Sequence, residues 1–396
     1  MQNSRLFPMN YYSEVSAIFE KLPEKHAEKQ AETSQHELSL NLLADTAYLP
    51  FYKIFMKLNE TYGPDGDYAK KYLGDAAFIR CRYPTIFTRR QKEFSGDHSL
   101  DICLQDNEHQ PGNIPKGVYP AAKIHLDDNN KDKFVVLGEG PYPHTFPVLL
   151  DRLAEQGVNV LIAIGPTEEN GKEKYFNYMK EAVEISAAEY LDCATNIKNM
   201  PDEFRNSTDF TIKFYRYTRM ENEKTFYIMH VPGWKDLGMP AFTESDKHLL
   251  AHDAEYGGNR FFHCSAGVGR SVAVLMMYMM YKLVCKNNLD YEQAVQKFEI
   301  ILNRIKETKP RAGEWWQLLL AIGLAEDMHE YMALKLTLSL QQSQKKVDSL
   351  FLAEPLSLFN VSPGNSPRKM SSSDEDNHAA ITVGIKNNPF GSNNTT

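Results

Sequence analysis

The chain has few cysteines and no long apolar run. Its five cysteines stand at irregular positions in 396 residues and form no CxxC pair. We therefore expect reduced thiols in a cytosol-like compartment, not a disulfide framework. The most apolar stretch, 272–284, contains Lys282 and is shorter than the roughly 20 residues that a bilayer span requires. Residues 1–20 lack a basic region followed by an apolar run, so we expect no secretory signal.

The chain also lacks an excess of positive charge, since its formal net charge is -8 at pH 7. Nucleic acids and membrane surfaces are bound by basic faces, so we expect neither as a partner. An anionic substrate would have to be met by local positive groups. The 12 histidines form no recognisable ligand cluster, so we predict no metal and no cofactor. The expected location is the cytoplasm.

Three regions follow from the distribution of apolar residues. Residues 1–75 are predicted to be a mostly helical extension that packs on a catalytic domain, 76–347. Residues 348–396 are polar, turn-rich and aperiodic, so we expect disorder there. The strands predicted for the catalytic domain are 158–164, a hairpin of 210–219 and 225–231, and 261–263. The helices predicted after them are 271–286, 291–307 and 314–344.

The polar tail contains two short motifs. Asn388-Pro389-Phe390 looks like a ligand of endocytic adaptor domains, and Ser366-Pro367 looks like a proline-directed phosphorylation site. Such three-residue matches often occur by chance. An alternative is that the tail is a secretion address, as in effector proteins that act in a host cytosol.

One segment combines a cysteine, glycines and an arginine between an apolar strand and an apolar helix. Cys264 and Arg270 are separated by five residues, two of them glycine. Glycines let backbone N–H groups turn inward as an anion-binding nest, and the following helix directs its positive dipole end to the same point. Arg270 can offer a planar fork of donors to phosphate oxygens. These effects favour a Cys264 thiolate that attacks phosphorus in line. The segment, called the phosphate loop below, consists of His263, Cys264, Ser265, Ala266, Gly267, Val268, Gly269, Arg270 and Ser271.

The phosphate loop resembles the His-Cys-x5-Arg-Ser/Thr motif of the protein tyrosine phosphatase family, in the form typical of its tyrosine-specific branch. This resemblance implies an α/β fold, with a twisted mixed β-sheet flanked by helices and the site at the C-terminal ends of the strands. It also implies that a phosphotyrosine-containing protein is hydrolysed in two steps through a phosphocysteine, without a metal or cofactor.

A second segment, residues 234–240, resembles the family's mobile Trp-Pro-Asp-x-Gly-x-Pro loop and is called the acid loop below. It contains Trp234 and Asp236, and the resemblance implies that Asp236 is the general acid for the leaving phenol. Such an acid is needed because the pKa of the phenol is about 10. Lys235 stands where the family has proline, which bears on the stiffness of the loop.

Two further positions resemble family residues that meet the substrate or support the site. Arg82-Tyr83-Pro84 resembles the phosphotyrosine-recognition loop, so Tyr83 would stack on the substrate ring; an ordinary core or turn aromatic is the alternative. Glu169 corresponds to the glutamate that braces the phosphate-loop arginine, and Lys174 to a lysine near the acid loop. A solvated acidic face over 168–173 is the alternative reading of that stretch.

The residue that positions the hydrolytic water is harder to identify. Gln317 is available, but it matches the second of two family glutamines, and Gly313 falls at the first. This gap and Lys235 favour a second hypothesis, a phosphotyrosine-binding pseudoenzyme; intact Cys264, Asp236 and Arg270 disfavour it. A third hypothesis, a phosphoinositide phosphatase, is disfavoured because such loops often carry lysines between cysteine and arginine. Here the intervening residues are uncharged.

Overall fold

The computed structural model describes most of the region between residues 48 and 352. The described residues are 48–62, 103–104, 117–118, 121–127, 130–143, 145–195, 204, 209–220, 223–236, 238, 240–309 and 312–352. The chain divides into two compact units, residues 1–340 and 341–396. The first contains every strand named below. The described part of the second, 341–352, is helical.

The described elements begin with a helix, mix strands and helices in the middle of the chain and end with three helices. The strands are β1 (Cys103–Leu104), β2 (Gly117–Val118), β3 (Ala121–Asp127), β4 (Asn130–Gly138), β5 (Val160–Ile164), β6 (Glu168–Glu169), β7 (Lys172–Glu173), β8 (Val183–Ile185), β9 (Lys213–Thr218), β10 (Thr225–Val231) and β11 (Phe261–His263). The helices are α1 (Leu49–Tyr62), α2 (Phe146–Glu155), α3 (Ala187–Ala194), α4 (Glu244–Tyr256), α5 (Arg270–Met280), α6 (Tyr291–Thr308) and α7 (Trp315–Leu352). A 3-10 turn at Tyr178–Glu181 and a π-helical turn at Tyr281–Cys285 complete them.

A seven-stranded mixed sheet lies at the centre, in the order β3-β4-β11-β5-β10-β9-β8. Its four middle strands are parallel, and antiparallel strands flank them. Every residue of β5 is buried, as expected for a parallel strand covered on both faces. Leu161 and Ala163 pack in one core with α2, whereas Ile162 and Ile164 pack in the other with α5. The predicted mixed sheet flanked by helices is therefore confirmed.

The strands predicted from sequence are present with small shifts in their ends. The predicted strand 158–164 is β5, and 261–263 is β11. The predicted hairpin is β9–β10, in which Thr218 pairs with Thr225 across the polar turn. β11 lies between β4 and β5, so the segment that follows it leaves the middle of the sheet at the C-terminal ends of three parallel strands.

The helices after β11 also match, except at the C-terminal end of α7. The predicted helix 271–286 is α5 continued by the π-helical turn, and 291–307 is α6, which begins with an Asp290–Gln293 capping box. α7 runs to Leu352, so the prediction of an end at residue 344 and of disorder at 348–352 is wrong. The physical reason is that neither glycine nor proline occurs between Gly323 and Pro355.

The described part of the predicted N-terminal extension is α1. Its aromatic residues pack on α6 and on the first turn of α7: the ring centroids of Phe51 and Phe298 are 5.1 Å apart, as are those of Tyr52 and Trp315. Both pairs are edge-on, a favourable arrangement for aromatic rings. Within the described part of the chain, no helix combines the length and apolar character needed to cross a membrane.

Candidate active site

The phosphate loop joins β11 to α5 at the C-terminal edge of the parallel strands. Gly267 adopts a φ of +71°, and a Cβ there would collide with the carbonyl of Gly138 at the end of β4. Only glycine therefore fits at this position. Ala266, Val268 and Gly269 are partly exposed, whereas His263, Cys264, Ser265, Arg270 and Ser271 are buried. The two ends of the loop are thus buried, and the surface is reached at Ala266, Val268 and Gly269.

Cys264 is a buried thiol in an electropositive setting. Its side chain is 3% exposed, and its Sγ lies 3.5 Å from the Ser271 hydroxyl. Burial alone raises the pKa of this thiol, but the Arg270 charge, the Ser271 hydroxyl and the N–H groups of Ser271 and Gly267 outweigh burial and lower the pKa below its ordinary value. The inward-turned N–H groups expected of an anion nest are thus present, and they stabilise the thiolate.

Arg270 is held at the first position of α5 by contacts that leave its Nε for a ligand. Its Nη1 donates to the carbonyl of Trp234 at 2.8 Å, and its Nη2 lies 3.5 Å from Asp236 Oδ1. Its Nε is buried and has no hydrogen-bond partner among the described residues. A buried donor without a partner is costly, so this group is well suited to bind an anionic oxygen.

The acid loop folds over the phosphate loop as a tight turn. Trp234 is buried and its Nε1 donates to the carbonyl of Gly238 at 2.8 Å, while the Gly238 N–H donates to the carbonyl of Lys235 at 3.1 Å. The Asp236 side chain remains 48% exposed between the Arg270 guanidinium and the Lys174 ammonium, 3.3 Å from the latter. The structure therefore brings Cys264, Arg270 and Asp236 together.

Glu169 ends β6 and Lys174 directly follows β7, and together they connect the two loops. Glu169 Oε1 accepts a hydrogen bond from the Asp236 N–H at 3.1 Å, and its Oε2 lies 3.3 Å from Lys174 Nζ. The carbonyl of Lys174 accepts a hydrogen bond from the Ser265 hydroxyl at 2.8 Å. Both side chains are mostly buried, which rules out a solvated acidic face for Glu169. The predicted brace between Glu169 and Arg270 has no direct contact here, because the Trp234 carbonyl accepts from Arg270 Nη1 instead.

His263 supports the loop from below as a neutral ring. Burial lowers its pKa to about 3. Its Nδ1 lies 3.1 Å from the carbonyl of Cys264, which can only accept, so Nδ1 carries the proton. Nε2 then accepts from the Tyr178 hydroxyl at 2.5 Å. This chain of hydrogen bonds fixes the peptide plane that follows the nucleophile.

Gln317 lies in the first turn of α7 against the phosphate loop. Its side chain is 1% exposed, and a Cβ added to Gly269 would lie 3.2 Å from its Oε1. That oxygen has no hydrogen-bond partner among the described residues. An unpaired buried acceptor beside the loop can receive a hydrogen bond from water. Tyr83, predicted to contact the substrate, lies outside the described residues.

Sequence reasoning missed Gly165, Tyr175 and His230, which form the wall behind Arg270. Gly165 has a φ of +99°, and a Cβ there would collide with Arg270 Nη1. Its carbonyl accepts from the Tyr175 hydroxyl at 2.5 Å and lies 3.0 Å from His230 Nε2. A glycine directly after a buried strand was the one available hint.

As for metals, no group of three or more potential ligands occurs in the described ranges.

Comparisons with known proteins agree on one family. The family model for protein-tyrosine phosphatase matches residues 99–312. Tyrosine-protein phosphatase non-receptor type 20 of Mus musculus is 24% identical over 191 residues, which cover 47% of this chain and 44% of that protein. The human non-receptor type 14 enzyme is 30% identical over 183 residues, covering 42% of this chain and 15% of that protein. The chain thus spans less than half the length of these relatives.

Among solved structures, the protein tyrosine phosphatase TbPTP1 of Trypanosoma brucei is similar. It has a TM-score of 0.46 at 15% identity, and the match covers 78% of this chain and 95% of that one. A structure of PTPN18 has a TM-score of 0.47 at 17% identity, and the match covers 74% of this chain and 99% of that one.

Proposed function

The chain belongs to the protein-tyrosine phosphatase family, and from that premise we propose that it hydrolyses phosphotyrosine in proteins through a phosphocysteine on Cys264. The observation that carries the proposal is a buried thiol of lowered pKa beside a buried arginine with a free donor. A thiolate is a strong nucleophile at neutral pH, and the arginine can bind the phosphoryl oxygens that it attacks.

In the first step the Cys264 thiolate attacks phosphorus, and the bond from phosphorus to the tyrosine oxygen breaks. Asp236, protonated at this stage, gives its proton to that oxygen so that tyrosine leaves as the neutral phenol. Its position within 3.5 Å of Arg270 supports this role, because the phosphate held by Arg270 carries the leaving oxygen toward the acid loop.

In the second step water attacks the phosphocysteine. The Asp236 carboxylate accepts the proton of the water, inorganic phosphate forms, and the thiolate is released. Gln317 is the residue proposed to orient this water, on account of its buried Oε1 beside Gly269. A nucleophile that must stay reduced also supports a cytoplasmic location, in the cell that makes the protein or in a host cell.

A preference for phosphotyrosine is part of the proposal. Cys264 is 3% exposed, and a phenyl ring holds its phosphate farther from the peptide backbone than a serine side chain does, which suits a buried nucleophile. The test compares kcat/KM for one peptide carrying phosphotyrosine or phosphoserine, and for a soluble phosphoinositide. We expect phosphotyrosine to be favoured by about 100-fold or more, because only the ring can place phosphorus within attack distance. Equal values for the two peptides, or a preference for the phosphoinositide, would contradict the proposal.

A further inference from the structure

Lys306 is a buried cation at the junction of α6, α1 and the turn that precedes α7. Its side chain is fully buried, and its Nζ donates to Asn59 Oδ1 and to the carbonyl of Ala312, both at 2.6 Å. The ring of Phe55 lies 5.1 Å from the same nitrogen. Burial lowers the pKa of Lys306 to about 7, against the opposite pull of Glu314. Burying an ammonium is costly, and because the pKa is lowered, these contacts offset only part of that cost.

The turn that Lys306 holds makes direct contact with the phosphate loop. The Ala312 N–H donates to the carbonyl of Lys309 at 2.8 Å, which closes the turn. The next residue, Gly313, has a φ of +91°, and its N–H donates to the carbonyl of Val268 at 2.6 Å. Four residues later Gln317 lies beside Gly269, where a Cβ added to the glycine would be 3.2 Å from Gln317 Oε1. The turn and the start of α7 thus support two successive residues of the phosphate loop.

The other anchor of Lys306 is outside the part of the chain that matches the family. α1 ends at Tyr62, whereas the family match begins at residue 99. Even so, α1 supplies Asn59 to Lys306 and packs Tyr52 against Trp315, two residues before Gln317. The support of the Gln317 segment therefore comes partly from a helix that the family match does not include.

We propose that Lys306 is a positioning residue for hydrolysis of the phosphocysteine. It fixes the Ala312–Gly313 turn, and with it Gln317, against the phosphate loop, using Asn59 of α1 as its second anchor. The inference rests on the proposed function. The effect falls mainly on the second step, because Gln317 directly follows the Ala312–Gly313 turn. The first step depends on Cys264, Arg270 and Asp236, which are anchored elsewhere, by Ser271, the Trp234 carbonyl and Lys174.

The test is the change Lys306→Met in the full chain, followed by rapid-mixing kinetics with an aryl phosphate of low phenol pKa. With this substrate the burst reports formation of the phosphocysteine and the steady state reports its hydrolysis. We expect the steady-state rate to fall by about 10- to 100-fold while the burst rate is kept, because a displaced Gln317 misplaces the water and not the phosphate. The burst amplitude should approach one per active site.

The matched control is Lys57→Met. Lys57 joins the same two helices through an exposed ion pair with Glu299 at 2.8 Å, and neither residue reaches the Ala312 turn. It should leave both rates as in the wild type. If Lys306→Met lowers both rates equally, or neither, the positioning role is overturned.

If the Lys306→Met protein does not fold, the variant Asn59→Ala tests the same inference, because it removes the second anchor of Lys306. With the melting temperature measured alongside, it should lower the steady-state rate alone, by a smaller factor. An unchanged ratio of the two rates would overturn the inference. Failure of the proposed function looks different: the wild type itself would then form no phosphocysteine, and the inference would fall with it.

Discussion

At the scale of single residues, two buried cysteines of this chain carry opposite pKa shifts. Cys264 and Cys285 are 3% and 6% exposed, so burial disfavours the thiolate of both. Burial and the charge of Glu326 raise the pKa of Cys285 to about 12. The pKa of Cys264 is lowered instead, because Arg270 and the surrounding hydrogen bonds outweigh burial. The difference between these two thiols therefore comes from local charge and hydrogen bonds and not from exposure.

This contrast predicts selective alkylation by iodoacetate near neutral pH. A lowered pKa keeps Cys264 ionised at a pH where Cys285 is still a thiol, so of these two buried cysteines Cys264 should be labelled first. The change Arg270→Met removes the main stabilising charge and should move the labelling curve of Cys264 to higher pH. Mass spectrometry of the peptides that contain each cysteine gives both curves. Labelling of the two cysteines over the same pH range would contradict the assignment.

The proton donor is tested by the leaving group. Asp236→Ala should slow phosphotyrosine hydrolysis by roughly 10²- to 10⁴-fold, because the phenolate leaves poorly without a proton. An aryl phosphate with an acidic phenol should lose far less, since its anion leaves unaided. The measurement is kcat for both substrates in wild type and variant. Equal losses would assign the acid to another residue.

Whether a residue of the site could be predicted from sequence depends on how far along the chain its contacts lie. Cys264 and Arg270 could be predicted because nucleophile, nest and clamp occupy one short segment with a recognisable spacing. Glu169 could be predicted from the family resemblance. Its contacts with Asp236 and Lys174 could not, because they depend on how a hairpin packs against a distant loop. The roles of Lys306 and Gly165 arise from packing between segments that are distant in the sequence, so no local pattern predicts them.

At the scale of elements, the β6–β7 hairpin is the part that holds the acid loop over the phosphate loop. Lys174 Nζ lies 3.3 Å from a carboxylate oxygen of Glu169 and 3.3 Å from one of Asp236. Without this cation the two carboxylates would repel each other across the junction. The hairpin thus stabilises the arrangement in which Asp236 meets Arg270.

The change Lys174→Met should therefore lower kcat for phosphotyrosine by about 10-fold, because the acid is less often in place. The control Lys172→Met alters an exposed lysine of the same hairpin and should have no effect on kcat. Steady-state kinetics of the two variants check the prediction. If the variants behave alike, the hairpin does not act through the Lys174 ion pairs.

Strands and helices could be predicted where the sequence marks both ends of the element, for example by a turn or a helix breaker. β5 is a short apolar run, and β9 and β10 flank a polar turn, so their positions were evident. α7 was predicted too short because its apolar periodicity fades before the helix ends. Residues 341–352 contain no helix breaker, so the backbone continues as a helix after the apolar periodicity has ended.

At the scale of the whole molecule, two buried histidines predict sensitivity to acid. Burial lowers the pKa of His230 to about 4 and that of His263 to about 3. The unfolded chain binds these protons below a pH of about 6.5, whereas the folded protein resists them, so acid favours unfolding. The free energy of unfolding should fall from pH 6.5 toward pH 4, by at most about 1.4 kcal/mol per pH unit for each histidine.

Urea unfolding at several pH values measures this slope. His230→Gln keeps a polar side chain near the Gly165 carbonyl but cannot titrate, so its slope should be shallower than that of the wild type. A wild-type stability that is flat between pH 6.5 and 4 would mean that these histidines are protonated in the folded protein.

Acid quench of the whole chain during turnover of a phosphotyrosine peptide, followed by peptide mapping, detects the phosphocysteine itself. We expect one phosphoryl group on the peptide that contains Cys264, formed in the burst and lost on further incubation. Cys264→Ser should show neither turnover nor this species, because a hydroxyl does not ionise in the loop. Turnover without phosphate on Cys264, or an active Cys264→Ser protein, would contradict the phosphocysteine mechanism.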